Sequence, residues 1–139
     1  LSYLLDTNVV SEIRRRRASA QVIEWFESTP ADQLFLSVVV LGEVRRGIER
    51  LRGRDADQAA VLETWLGGLY DSFANRIISI DAEIAEEWGR ISAPAPVPPE
   101  DGLMAATARV RNLVLVTRNV AHVARTGVRV LNPWEPSPA

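Results

Sequence analysis

Three carboxylates stand where an open α/β sheet would collect a ligand. Asp6 directly follows the apolar run Leu1–Leu5. Glu43 lies about one and a half helical turns beyond Ser37, which ends a second apolar run, Leu34–Ser37. Asp101 falls in the first turn of a helical stretch fed by the proline-rich segment 93–99. Thr117, Arg118 and Asn119 follow the most strand-like run, Leu113–Thr117. Ligands of open α/β sheets gather outside the carboxyl ends of the strands. Carboxylates brought together there repel one another and lose hydration, so without a cation at least one proton affinity rises. A divalent ion relieves that strain, and Mg²⁺ and Mn²⁺ favour hard oxygen ligands. Two such ions about 3.5–4 Å apart can activate a water and stabilise the leaving oxygen of a phosphodiester.

The rest of the composition leaves little other chemistry. There is no Cys, which excludes disulfides, thiolate zinc sites and Cys nucleophiles. All 16 basic residues are Arg, which removes the Walker-A lysine and Schiff-base chemistry. A single His, His122, and no G-x-S-x-G argue against a Ser-His-Asp hydrolase. Each acid also has a local explanation. Asp6 reads as a helix N-cap, Glu43 as an i,i+3 partner of Arg46, and Asp101 as a complement to a helix dipole. Asn119 reads equally as a turn residue and His122 as a surface residue. Spacing alone does not choose between the two sets of readings.

The elements that must position these residues follow from apolar periodicity. Strands are expected at 1–5, 34–37, 77–80, 113–117 and 128–131. Helices are expected from Asp6-Thr7-Asn8 into the Arg14–Arg17 run, from an N-cap at Ser19, over 39–52 with Gly53 as its stop, and over 56–74. Two more run from an Asp81 cap through Ile91 and over 100–111. In the 39–52 helix, Val40, Val44, Gly47, Ile48 and Leu51 form one stripe. In the 56–74 helix, Leu62, Leu66, Leu69, Tyr70 and Phe73 are in register. Strands that are apolar along their length and alternate with helices predict an α/β fold with a parallel sheet covered on both faces.

At 139 residues, 47% hydrophobic and 24% charged, one globular domain over 1–139 is expected, with 135–139 as a frayed tail. The longest apolar runs, Val38–Leu41 among them, are four residues, far short of a membrane span, and no signal peptide or membrane association is expected. The missing Cys fits a cytoplasmic location. The formal charge of −2 hides an asymmetry: residues 1–54 hold nine Arg against seven acids, and residues 55–139 hold seven against eleven. The consecutive Arg14, Arg15, Arg16 and Arg17 are candidate phosphate contacts or a solvated loop, whereas Arg50, Arg52 and Arg54 read as a solvated helix face.

Five segments in order resemble one family. They are Tyr3-Leu4-Leu5-Asp6-Thr7-Asn8-Val9-Val10-Ser11-Glu12, Leu36-Ser37 through Glu43, Pro96-Val97-Pro98-Pro99-Glu100-Asp101 through Ala108, Leu115-Val116-Thr117-Arg118-Asn119, and Gly127 through Trp134. Together they resemble PIN-domain ribonucleases, and more closely the VapC toxins of type II toxin–antitoxin pairs and their FitB-like branch. The resemblance implies a three-layer α/β/α sandwich around a parallel sheet of four to five strands. It implies an endoribonuclease using Mg²⁺ or Mn²⁺, a homodimer, an antitoxin partner with higher assemblies, and DNA contact only through the antitoxin.

By position, Asp6, Glu43 and Asp101 match the family's metal-ligating acids. Asn119 matches the place where many members carry a fourth Asp, and Thr7, Ser37 and Thr117 match supporting hydroxyls. Relatives with Asn at that place often carry Asp three residues on, where this chain has His122, so the fourth carboxylate is missing from both usual places. Two other readings remain: a PIN-fold binding module with weak or no catalysis, and a haloacid-dehalogenase-like phosphatase. The phosphatase chemistry wants an Asp where Asn8 stands, and it also wants a Lys.

Overall fold

A computed structural model of the chain describes residues 1–136, so residues 137–139 of the expected frayed tail lie outside the description. Five strands form one sheet in the order β3-β2-β1-β4-β5, with every pairing parallel. They are β1 (Tyr3–Leu5), β2 (Leu34–Ser37), β3 (Ile77–Ile78), β4 (Val114–Val116) and β5 (Val130–Leu131). The helices are α1 (Thr7–Arg14), α2 (Ala20–Ser28), α3 (Val38–Arg52), α4 (Ala56–Ser72), α5 (Ala82–Ser92), α6 (Pro99–Arg111) and the short α7 (Val120–Val123). The architecture is the expected α/β/α sandwich with a five-stranded parallel sheet.

Burial explains why the central strands read as continuous apolar runs. Leu4, Leu5, Leu36 and Val116 are fully buried, and Leu115 nearly so, because helices cover both sides of β1, β2 and β4. The edges are less protected and shorter than their apolar runs. Sheet pairing begins at Tyr3, not at the exposed Leu1, and β3 and β5 keep only two residues each. Pairing needs a neighbour's backbone, and an edge strand has a neighbour on one side only.

Helix starts follow their caps. Asp6 accepts from Thr7 N, Ser37 from Val39 N, Asp55 from Gln58 N and Asp81 from Ile84 N. Ser19 occupies the N-cap of α2 without a side-chain bond. Its amide instead donates to Glu12 Oε2 at 2.7 Å. Gly53 closes α3 in a right-handed conformation, φ −77°, so the stop needs no glycine there. Asn112 does use the left-handed region, φ 56°, to end α6. Gly47 and Tyr70 turn outward, off the stripes their spacing suggested.

Strand order reverses between β1 and β4. From β1 the chain moves outward through β2 to β3, then crosses back to lay β4 on the other side of β1. Such a switch point opens a crevice at the carboxyl ends of the two strands. Asp6 and Thr117 are the residues that leave β1 and β4 at that end.

Candidate active site

At the switch point Asp6 is nearly buried, with 8% of its surface exposed. Its Oδ1 accepts from the Thr7 amide at 2.7 Å, and its Oδ2 accepts from the Thr117 hydroxyl at 2.7 Å. The same Thr117 oxygen accepts from the Asn119 amide at 3.0 Å. The loop after β4 is thereby tied to the acid after β1. Burial raises the proton affinity of Asp6 above the ordinary Asp value of 3.8. The two hydrogen bonds oppose that rise without cancelling it, the charge of Asp101 adds to it, and His122 offsets it.

Glu43 comes to the site from α3. Its Oε1 accepts from the Thr7 hydroxyl at 3.0 Å, a contact spanning 36 residues. No ion pair with Arg46 forms among the described residues, although the Arg46 charge is felt at Glu43. Burial also raises the Glu43 proton affinity, against the Thr7 bond and with help from the charges of Asp6 and Glu100. Thr7 therefore serves both acids, its amide holding Asp6 and its hydroxyl holding Glu43.

Asp101 is presented by the first turn of α6, whose start is fixed by Pro98 and Pro99. Its Oδ2 lies 3.1 Å from His122 Nδ1. The single His is thus at the acidic crevice, brought there by the short α7 that sequence periodicity does not reveal. Four acids, Asp101, Asp6, Glu43 and Glu100, form a chain in which each neighbour's charge is felt. Glu100 is the member the sequence reading passed over. Its only signal was its place beside Asp101 at a helix start.

Among the described residues, Ser37, Asn119 and Arg14 to Arg17 make no hydrogen bond to these four acids. Ser37 is fully buried, and its hydroxyl caps α3 at Val39 N, so it holds the helix carrying Glu43. Asn119 caps α7 and offers its backbone amide to Thr117, while its side chain makes no cap bond. Arg14 to Arg17 are exposed at the far end of α1, with Arg14 over the Trp65 ring at 5.2 Å and Arg15 paired to Glu12 at 3.0 Å.

The donor set is hard oxygen with one imidazole at its rim. Burial raises the proton affinities of the buried Asp6 and the half-buried Glu43, and neighbouring acids add to the rise. In charge and donor type these residues fit Mg²⁺ or Mn²⁺. Among the described residues no group of three or more Asp, Glu or His side chains is spaced as a complete cage. The arrangement suits an ion that keeps much of its water, as Mg²⁺ does.

The PIN domain family matches residues 3–127. This chain belongs to the PIN domain family. The plasmid stability protein StbB of Pseudomonas syringae pv. tomato is 32% identical over 95% of this chain and 98% of its own length. Toxin FitB of Neisseria gonorrhoeae is 31% identical over 94% and 97%. The VapC ribonuclease Y4jK of Sinorhizobium fredii is 26% identical over 96% and 99%. Among solved structures, FitAcB from Neisseria gonorrhoeae superposes with a TM-score of 0.88 at 30% identity, covering 96% of this chain and 99% of that one. A toxin–antitoxin complex from Klebsiella pneumoniae gives 0.70 at 27% identity, covering 97% and 100%. A PIN fold sets aside the dehalogenase-like phosphatase, and the absence of a second Asp at Asn8 agrees.

Proposed function

We propose that this PIN domain is a metal-dependent endoribonuclease and the toxin of a toxin–antitoxin pair. The observation that carries the reading is the buried Asp6, held by Thr7 and Thr117 at the β1/β4 switch point within reach of the Asp101 charge. The ribonuclease and toxin names of its relatives give that site a substrate class and a biological setting.

Asp6 and Asp101 would hold the ion, with Glu43 reaching it through water. A bound Mg²⁺ or Mn²⁺ supplies a nucleophilic water near neutral pH and a charge to stabilise the leaving oxygen. Everything else falls to the chain's own residues. Thr117 and the Thr7 amide fix both Asp6 oxygens, so the carboxylate cannot swing away. The Thr7 hydroxyl orients Glu43, which would take a proton from water. His122 steadies Asp101 in the way outer-shell partners orient ligands. Arg14, Arg15, Arg16 and Arg17 give the RNA backbone a phosphate tract away from the acids.

The antitoxin partner follows from the same relatives. A partner that places a basic side chain among these acids would quench them. Homodimerisation and the assignment of 1–139 to one PIN domain belong to this reading as well.

A second reading has its own observation. Asn119 is neutral and no complete cage of three ligands is present among the described residues. On that reading the domain binds RNA or a protein partner and does not cut. One assay separates the two, using the purified chain, structured RNA, and Mn²⁺ or EDTA. The ribonuclease reading expects cleavage with Mn²⁺, none with EDTA, and a loss of at least 100-fold in Asp6→Asn, the scale of one electrostatic catalytic group. Binding without cleavage under every metal condition favours the module.

A further inference from the structure

Thr117 donates its hydroxyl to Asp6, so the next residue, Arg118, starts at the rim of the acidic crevice. Its side chain is exposed, and its guanidinium lies 5.1 Å from the centre of the Trp134 ring. Among the described residues it makes no hydrogen bond and no ion pair. Arg45, Arg52, Arg90, Arg109 and Arg111 differ, because carboxylates occupy each of them. Arg76, stacked on Phe73 at 5.5 Å, is committed to the carbonyls of Leu34 and Ser72.

Arg118 also has a direction. Its charge is felt at Glu12 on α1, the acid that pairs with Arg15. The guanidinium is therefore within electrostatic reach of the Glu12–Arg15 pair that borders the Arg14–Arg17 run. A guanidinium stacked on an indole is held by its face, while its N–H edges stay open. Those edges form a planar fork that fits a phosphate bidentately, and a fork already held in place loses less freedom on binding. Trp134 does not depend on Arg118 for its own position, since its amide donates to Asn132 Oδ1 at 3.0 Å and its ring packs on the core.

We propose that Arg118, pre-set on Trp134, binds an RNA phosphate beside the acidic crevice and joins the cutting site to the Arg14–Arg17 tract. The proposal rests on the ribonuclease reading above. It makes Arg118 a binding and positioning residue, distinct from the acids that would hold the metal.

The test uses a short fluorescent single-stranded RNA, the full chain carrying Asp6→Asn to prevent cutting, and Mg²⁺ in the buffer, with affinity followed across salt concentrations. Adding Arg118→Ala is expected to weaken binding about 3- to 10-fold and to reduce the slope of log affinity against log salt by about 0.7, one phosphate contact. Arg118→Lys is expected to keep the slope and lose part of the affinity, because it keeps the charge but not the fork. Arg54→Ala, a like charge in the turn after α3, about three helical turns beyond Glu43 in sequence, is expected to change neither. Melting temperature is expected to stay level in all three. An unchanged salt slope in Arg118→Ala overturns the proposal, and so does a weakened affinity that merely tracks a lower melting temperature. If the Asp6→Asn protein binds no RNA and the unsubstituted chain cuts none, the ribonuclease reading falls and takes this proposal with it.

Discussion

Asp6 carries two roles that the sequence presents as rivals. It caps α1 through the Thr7 amide, and it stands at the switch point with a raised proton affinity. The cap was legible from local sequence; the burial was not, because Thr117 lies 111 residues away. Glu43 shows the opposite case. Its i,i+3 neighbour Arg46 was the local expectation, yet the hydroxyl of Thr7 takes the carboxylate once α1 and α3 pack together. His122 has no local signal at all and is read only from its contact with Asp101. The raised Asp6 proton affinity fixes a sign for stability. The folded state binds the Asp6 proton more tightly than the unfolded chain, so this contribution is present below about pH 4 and is lost as pH rises through the raised native value. In metal-free buffer at neutral pH, Asp6→Asn should therefore melt higher than the unsubstituted protein, by about 3–5 °C for a gain of about 1 kcal/mol. Added Mg²⁺ should raise only the unsubstituted protein and narrow that gap. Thermal melts with and without Mg²⁺ check both halves.

Two contacts at the scale of elements decide whether the site is aimed. The first is the corner between α1 and α2. Glu12 is buried there, its Oε2 accepting from the Ser19 amide at 2.7 Å and its Oε1 from Arg15 at 3.0 Å. The Ser19 bond holds its carboxyl below the usual Glu value, so its stabilisation is present above about pH 4.5 and is lost as pH falls through the lowered native value. Glu12→Ala should cost about 1–3 kcal/mol, because the half-buried Ser19 amide loses its charged acceptor, and urea unfolding measures it. The second contact is between α5 and α6. A Cβ on Gly102 would lie 3.0 Å from Trp88 Cδ1 and 3.1 Å from its Nε1. Gly102→Ala should push the two helices apart at a cost of about 1–3 kcal/mol and disturb Asp101, its neighbour in sequence. Trp88→Leu in the same chain should recover much of the loss in urea unfolding. Helix existence was legible because caps and stripes are local. The two-residue edge strands were not, since apolar runs do not say where a neighbour's backbone ends.

Across the whole molecule, charge is sorted more finely than the total of −2 suggests. Much of the α3–α4 surface is self-neutralised, with Arg45 and Arg52 tied to Glu49 and Glu63. The acids at the switch point have no Arg partner, and Arg118, two residues beyond Val116, has no carboxylate partner among the described residues. The parallel topology was legible from strands that are apolar along their length. The crevice follows from that topology, because reversing the strand order at β1 and β4 puts Asp6 and Thr117 side by side. The metal-dependent reading requires a divalent ion at this crevice, and the anomalous signal from a crystal soaked in Mn²⁺ tests it. An ion bonded to both Asp6 and Asp101 is expected, with waters completing its shell and no such ion in Asp6→Asn. A crystal whose Mn²⁺ sits elsewhere on the surface, with both aspartates free of it, contradicts a metal site here.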